Sequence, residues 1–591
     1  MRIIHLIRAL LQSSFFSKQI QFTTSSGLGI KKYGLCLAKT LIKIMTVFTV
    51  SMTAFAQQLP NTGSQLNQIT NIPLLKKTEP KFEFLNKELN VVTKPGGQKI
   101  HVLNLNIIGN ESVTSVDLII ASGFIPDSML SYGDLKNLTL NIQAYLNEKQ
   151  YFVAQVFLPP QEIENGIVTI KVMEGKYSRV ELETNDVIPL SLANTLMGDT
   201  KPGEPIKADS LAQALLLISD LPGVAVASNL EPGSAVGTSD LKVDITEGLL
   251  LTGGVDYDNF GNTYTGSNRV GATLNVNNPS GHGDLFSLRA QTSAMGMDYG
   301  RISYQTQVGK FTPGIALTAL QYQLGQQYES LSAYGTAQIA SVYLRYPVVR
   351  SRVSNMSVLF NFDVKKLQDN IDATNTQTPK RVQVASVSTS GDIKDDIFGG
   401  GFNTYYVGWS VGNVALQSQQ SITNDARTAQ TNGLFNKLYL NATRLQKIAG
   451  PVSLYASFRG QIASKNMDGT EMIGLGGANG VRAYPEGEGY GDEGYVINIE
   501  ARTEVPNPFS FMPGQLQLIG FFDHGSVTFN KNPWAPGINK QTLTGAGIGV
   551  NWFFENNSVL RMYLAQKIGA AVPTSASDQP FRFWVQSIQY L

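Results

Sequence analysis

The sequence predicts a mainly β protein: a C-terminal transmembrane antiparallel β-barrel of about sixteen strands, preceded by two small α/β domains. Three observations carry that prediction. Charged residues make up 15% of the 591 positions, against roughly 25% in an ordinary soluble domain, while glycine (56 residues) and aromatics (9%) are frequent. No run of 18 apolar residues free of charge occurs, which removes helical membrane proteins but leaves barrels, whose strands each carry a weak signal. Finally, the segment VTIKVMEG at 168–175 returns 73 positions later as LKVDITEG at 241–248, so a structural unit is duplicated. The same composition disfavours disorder, coiled coil and nucleic-acid binding. The length asks for more than one domain.

Residues 1–56 read as an export signal. They contain no Asp or Glu and seven basic residues, Arg2, Arg8, Lys18, Lys31, Lys32, Lys39 and Lys43, then an apolar stretch over 44–55 and a small-x-small site, Ala54-Phe55-Ala56. The stretch is too short for a membrane anchor. Removing this leader leaves 39 of the 46 basic residues against 45 acidic ones, a net charge near −6, which implies no polyanionic or nucleic-acid partner. The single cysteine, Cys36, lies in the leader and lacks the small preceding residues of a lipoprotein site. The exported chain therefore depends on packing or barrel closure rather than disulfides.

Residues 57–98 form a tether, interrupted by Pro60, Gly63, Pro73, Pro80, Pro95 and Gly96-Gly97. The stretch 64–69 has room for a short helix, a candidate plug.

Two repeats follow, at 99–175 and 176–248. In the first, Leu103, Leu105 and Ile107 alternate with Asn104 and Asn106, a half-buried strand. Helices are predicted over 116–121 and 134–148, the latter with Leu135, Leu138, Ile142, Tyr145 and Leu146 at helical spacing. Strands at 151–158 and 167–173 complete a β-α-α-β-β order. The second unit repeats it, with a strand through Val180 and Leu182, helices over 190–196 and 208–217, and strands near Val224 and Leu241. A three-stranded sheet keeps an open edge that can take an extended peptide through backbone hydrogen bonds; the competing reading is a plain spacer.

From 249 to 591 the texture changes to alternating stretches of about ten residues, at 249–258, 269–277, 285–293, 301–308, 316–324, 340–346, 358–364 and onward to 581–591. A tilted membrane strand needs about 9–11 residues, and 343 residues allow sixteen strands with about 21 residues each for strand and connection. Asn275, Gln305, Gln307, Gln321 and Gln323 are expected to face a wet lumen. A soluble sandwich or propeller explains the export signal and the terminal strand less well.

Within this region three motifs stand out: LGGANGVRAYPEGE at 475–488 followed by GDEG at 491–494, FFDHG at 521–525, and YDNFG at 257–261 continuing through Arg269, Asn277-Asn278-Pro279 and Gly283-Asp284. With the leader, two repeats and barrel, residues 100–591 resemble the outer-membrane transporters of two-partner secretion, the haemolysin secretion/activation and filamentous haemagglutinin transporter family of the POTRA-barrel superfamily. The resemblance implies a lumen-folded loop near 474–494, with Val481, Arg482, Tyr484, Pro485, Glu486, Gly487 and Glu488 as its motif, and a strand motif of Phe521, Asp523 and Gly525. It further implies that Arg482 pairs with Asp523. An unpaired guanidinium in a partly desolvated pore costs several kcal/mol, and a carboxylate can satisfy it bidentately. Two positions depart from the family pattern: Ala483 stands for the usual Gly and Gly480 for the usual Ser.

Enzyme-like patterns are weak. Gly408-Trp-Ser-Val-Gly412 matches a nucleophile motif, but 405–414 continues as an alternating strand where an elbow needs a turn and a helix. The GLGGAN run at 474–479 lacks the third glycine of a dinucleotide fingerprint. His101, His282 and His524 have no ligand-spaced neighbours. Neither an enzyme activity nor a cofactor or metal is expected.

The function implied by the resemblance is an outer-membrane protein translocase of a Gram-negative cell. Its POTRA repeats in the periplasm would capture an unfolded, secreted exoprotein, its barrel would sit in outer-membrane lipid, and transport would be driven by the partner folding outside. Rival readings are a barrel-assembly factor, a passive porin or receptor, and an outer-membrane hydrolase.

Overall fold

The computed structural model describes residues 60–69, 98–507, 513–555 and 557–591. The predicted export signal and most of the tether lie outside the described residues.

In the first repeat the strands Asn104–Ile108, Ile167–Met173 and Gln155–Phe157 form one sheet, with Ile167–Met173 central and parallel to the first. Helices Ser115–Ser122 and Tyr132–Glu148 cover it, burying Leu118, Leu135, Ile142 and Leu146 against Leu105, Ile107, Val168 and Ile170. Two features differ from the sequence expectation. The predicted strand over 151–158 shrinks to Gln155–Phe157, because Tyr151 is spent packing beneath the helix end. An extra two-stranded sheet pairs Ile100–Val102 with Ser128–Leu130, too short to show alternation.

The second repeat follows the expected order: strand Lys176–Glu183, helices Leu190–Met197 and Ala208–Ser219, then strands Val224–Pro232 and Thr238–Glu247. Its core includes Leu192, Leu196, Leu211, Leu215, Ile218, Leu241 and Val243. The second repeat docks on the turns at one end of the barrel. Arg350 binds Asp220 through two hydrogen bonds, of 2.7 and 2.8 Å, and Asn278 donates to the Val187 carbonyl.

The remaining strands close into an antiparallel barrel of sixteen, from Leu251–Asp258 to Phe581–Tyr590. The last strand returns to the first through a short register, Gln586↔Asp258 to Tyr590↔Gly254. Among the described residues no helix is long and apolar enough to cross a membrane. Two strands outrun their predicted stretches at 340–346 and 358–364, Ala333–Arg350 and Ser354–Ile371 having 18 residues each, and the next strand, Thr376–Asp395, has 20. Apolar alternation fails toward some of their ends, as at Gln368-Asp369-Asn370 against Gln377-Thr378-Pro379, while the hydrogen-bonded ladder continues. The expected strand at 301–308 sits earlier, at Met297–Gln305, because Val308 and Phe311 pair across a tight turn.

One expectation is reversed. Asn275 and Gln305 lie on the inner face, bonded to Ser287 and Tyr343, but Gln321 and Gln323 share the outward face with exposed Leu317. Their neighbours Leu320 and Tyr322 point inward and are buried. The half of the lumen away from the second repeat is not wet: Leu320, Tyr322, Leu367, Val382, Val414 and Phe435 pack there against Met467, Met472, Leu66 and Ile69.

Candidate functional site

The filling of that half-lumen comes from two segments that are not part of the barrel wall. The first is a short helix, Thr62–Leu66, two residues earlier than the stretch read from sequence. Asn61 caps it, accepting from the backbone of Gly63 and Ser64. Five residues cannot hold a helix by propensity; the barrel supplies the rest. The Asp369 carboxylate accepts from the Thr62 backbone N–H at 2.8 Å and from its hydroxyl. Asn262 donates to the side chains of Gln65 and Gln68 at 2.9 and 2.8 Å, and Arg269 donates to the Gln68 carbonyl at 2.9 Å while pairing with Asp258, both fully buried. Gly63 lies directly on the Gly469 backbone, where any side chain would collide.

The second segment is the 464–492 connection between strands Val452–Ala463 and Glu493–Val505. Two buried ionic groups pin its near end to the wall: Lys380 with Asp468 at 2.7 Å, and Lys365 and Lys437 with Glu471 at 2.5 and 3.0 Å. The stem then pairs Ile473 with Gly491 and Gly474 with Tyr490, and the tip turns inward through Gly477, whose φ of 99° suits glycine alone.

At that tip lies Arg482. Its Nε donates to Asp523 Oδ2 at 2.9 Å and its Nη2 to Asp523 Oδ1 at 2.7 Å, and its own backbone N–H reaches Asp523 Oδ2 at 3.0 Å. Arg482 is 4% exposed and Asp523 0%. Asp523 stands on strand Gly514–Thr528 with its side chain toward the lumen, and its Oδ1 also accepts from Asn498 at 2.7 Å. The remaining guanidinium nitrogen donates to Glu500 Oε1 at 2.7 Å, and Glu500 in turn binds Arg502. Two cations therefore meet two anions, and this balance makes the burial tolerable. The guanidinium plane lies 3.6 Å over the Phe521 ring, a cation–π contact strengthened by the loss of water, and Trp584 donates to the Arg482 carbonyl.

The other motif residues divide between packing and anchoring. Val481 and Tyr484 are fully buried among Leu475, Phe521 and Leu543. Pro485 and Gly487 shape the return of the loop, Gly487 at φ 88°. Glu486 faces the Tyr490 hydroxyl at 3.4 Å. Glu488 accepts from the Thr574 and Ser575 backbones and from Gln541, tying the tip to the final extracellular connection. Gly525 has no space for a side chain, since Leu475 and the Tyr495 carbonyl occupy it. Both departures from the family pattern fit locally. A side chain at Gly480 would strike the Leu475 carbonyl, and the Ala483 methyl fills the space that Gly545 leaves open.

Glu500, Asn498 and Trp584 escaped the sequence reading. Glu500 alternates in register with Asn498 on one strand face, a signal visible only once the strand's inward side is known. Beneath the loop lies a lumen cavity of about 520 Å³ lined by Arg459, Arg502, Arg561, Glu486 and Glu500. Ser410 sits mid-strand in the barrel wall, paired with Ser386 and Lys437. Among the described residues no three metal-ligating side chains come together.

Comparison with known proteins agrees with this architecture. The profile of the haemolysin secretion/activation protein family ShlB/FhaC/HecB matches residues 237–552, and that of the ShlB-type POTRA domain matches 100–175. A heme/hemopexin transporter protein, HuxB, of Haemophilus influenzae is 25% identical over 557 residues, covering 92% of this chain and 97% of its own. The outer membrane transporter CdiB of Dickeya dadantii is 21% identical over 75% of this chain and 77% of its own. In fold, the chain resembles CdiB from Escherichia coli, with a TM-score of 0.68 at 17% identity, 90% of this chain and 96% of that one being covered. CdiB from Acinetobacter baumannii gives 0.61 at 17% identity over 96% and 100%.

Proposed function

The chain belongs to the haemolysin secretion/activation family, and from that membership we infer that it is an outer-membrane translocase that passes a large secreted exoprotein through its barrel. The observation that carries the reading is the state of the lumen. The lumen inside the sixteen-stranded wall is filled by a helix and a loop, held by polar contacts and by apolar packing. A porin has no use for such a stopper, nor for two periplasmic repeats.

In this reading residues 99–175 and 176–248 are POTRA units that capture the unfolded exoprotein, residues 249–591 are the pore, and the Arg482–Asp523 pair sets the resting position of the loop. The helix Thr62–Leu66 must leave before cargo enters, since it fills the same space. Besides the packing of Leu66 and Ile69, its grip includes hydrogen bonds to Asp369, Asn262 and Arg269, which an incoming chain rich in polar backbone can replace.

The test is deletion of the gene followed by mass spectrometry of culture supernatant and cell surface, complemented by wild type and by Arg482→Ala. Loss of one large exoprotein, restored by wild type and not by Arg482→Ala, is expected. Broad loss of outer-membrane proteins would instead indicate barrel assembly, and an unchanged exoproteome would end the translocase reading.

A further inference from the structure

The outer wall of the barrel carries a feature that transport through the lumen does not use. On strand Ser354–Ile371 the outward positions run Val358, Phe360, Phe362 and Val364, an apolar band, and then Lys366. Its direct neighbour across the ladder, on strand Thr376–Asp395, is Arg381, also exposed. Directly opposed residues have Cβ atoms about 5 Å apart, and like charges so placed repel. Cations on a lipid-facing strand are costly besides, increasingly so with depth. No ion pair to either residue occurs among the described residues, and the outward neighbours that continue the two registers are Gln338, Gln368, Gln383 and Ala415, none of them acidic.

Beside this pair the wall is hollowed. Gly300 and Ala319 face each other across the register between strands Met297–Gln305 and Thr312–Gln323, and the space over Gly300 is open. The result is a groove of about 660 Å³, walled by Leu288, Ile302, Leu317, Ala340 and Val364, with Gln338 and Lys366 at its rim. The rim lies toward the extracellular end, since each of these strands has its other end at the turns on the side where the second repeat docks.

We propose that this face binds a phosphorylated glycolipid of the outer leaflet, a phosphate lying between Lys366 and Arg381 and an acyl chain in the groove over Gly300 and Ala319. The charge pattern asks for an anion shared by two cations, and a phosphate accepts from both with charge-assisted hydrogen bonds. The apolar groove running down into the bilayer from that point asks for a hydrocarbon chain on the same molecule, which a soluble phosphate lacks. Position at the extracellular edge of the apolar band selects the lipid of that leaflet.

The experiment uses the full-length protein in detergent with lipid A as probe, in its diphosphorylated form and after removal of both phosphates, with bound lipid counted by native mass spectrometry. Wild type is expected to bind the diphosphorylated form at least tenfold more tightly, and this comparison needs no variant. The Lys366→Gln/Arg381→Gln double variant should erase the difference, and Gly300→Leu should weaken binding of both forms by filling the groove. Heat-modifiable gel migration verifies that each variant barrel is folded. Equal binding of the two lipid forms by wild type would overturn the proposal, as would unchanged binding by folded variants of both kinds.

Discussion

Arg482 is the residue on which the loop depends most, because every nitrogen of its guanidinium has a buried acceptor. Removing one partner strands the others: Arg482→Ala leaves Asp523 and Glu500 buried with a missing cation, a situation that costs about 3–5 kcal/mol in buried ion pairs. Asp523→Ala does the converse. The double variant removes both charges and should be no worse than either single one, measured as secreted exoprotein and as protease resistance of residues 464–492 in isolated membranes. Fully additive losses would mean that the two residues act separately. The expectation of this pair comes from the family resemblance that the two motifs carry. Glu500 is not legible in the sequence, because a glutamate in an alternating strand gives no sign of which face it occupies until the register is fixed. Gly480 and Ala483 show the same limit from the other side: the sequence marks them only as departures from the family pattern, and the positions of the Leu475 carbonyl and Gly545 explain them.

Elements were readable where a single period ran long enough. The helix Tyr132–Glu148 announced itself by five apolar residues at helical spacing, and its start is fixed by a capping box in which Ser131 and Asp134 exchange hydrogen bonds. The Ser131 backbone N–H and hydroxyl hold the Asp134 carboxyl below the ordinary aspartate range. A carboxyl whose folded value is depressed adds stability above its unfolded value, ~3.9, and that stability is lost as pH falls through the folded value. Backbone amide protection in the first turn of this helix, corrected for intrinsic exchange, should therefore drop on acidification below about pH 4 in wild type and be already low and flat in Asp134→Asn. Ser131→Ala should cost about 1 kcal/mol at neutral pH. The strand Ile100–Val102 lies below this limit of legibility, and the helix Thr62–Leu66 shows in the sequence only as room for a short helix over 64–69. Both are too short for any period, and both exist because tertiary partners satisfy their backbone. The outward Gln321 and Gln323 differ from the expectation for a related reason: polarity alone does not mark the lumen side, since the plug makes the lumen apolar at that height.

At the scale of the whole molecule, the second repeat is joined to the barrel by contacts of unequal weight. The Arg350–Asp220 pair is bidentate but half open to solvent on the aspartate side, and exposed pairs contribute about 0–1 kcal/mol. The backbone of Gly223 close against Asn277, the Leu221 side chain against Gly283 and the bond from Asn278 to Val187 do not depend on charge. Asp220→Ala should therefore leave secretion within about twofold of wild type, read by quantitative immunoblot of the exoprotein, whereas Gly283→Leu, which drives a side chain into Leu221, should reduce it strongly. A large defect from Asp220→Ala alone would assign the ion pair a role beyond docking.

The seam between the final and first strands has a consequence for how such a chain comes to exist. Tyr590 pairs with Gly254, 336 positions earlier, so the ring cannot shut while any intervening strand is still unmade. Ladders between consecutive strands close short loops, and this one closes the longest of all, with the fewest bonds to recover the entropy. Until it forms, the sheet has two bare edges and an apolar outer face with no lipid against it, the conditions under which β chains aggregate. Folding of the barrel is thus bound to the moment at which its outer face meets lipid. Before that closure the chain is an open polypeptide whose bare edges and apolar face have no partner.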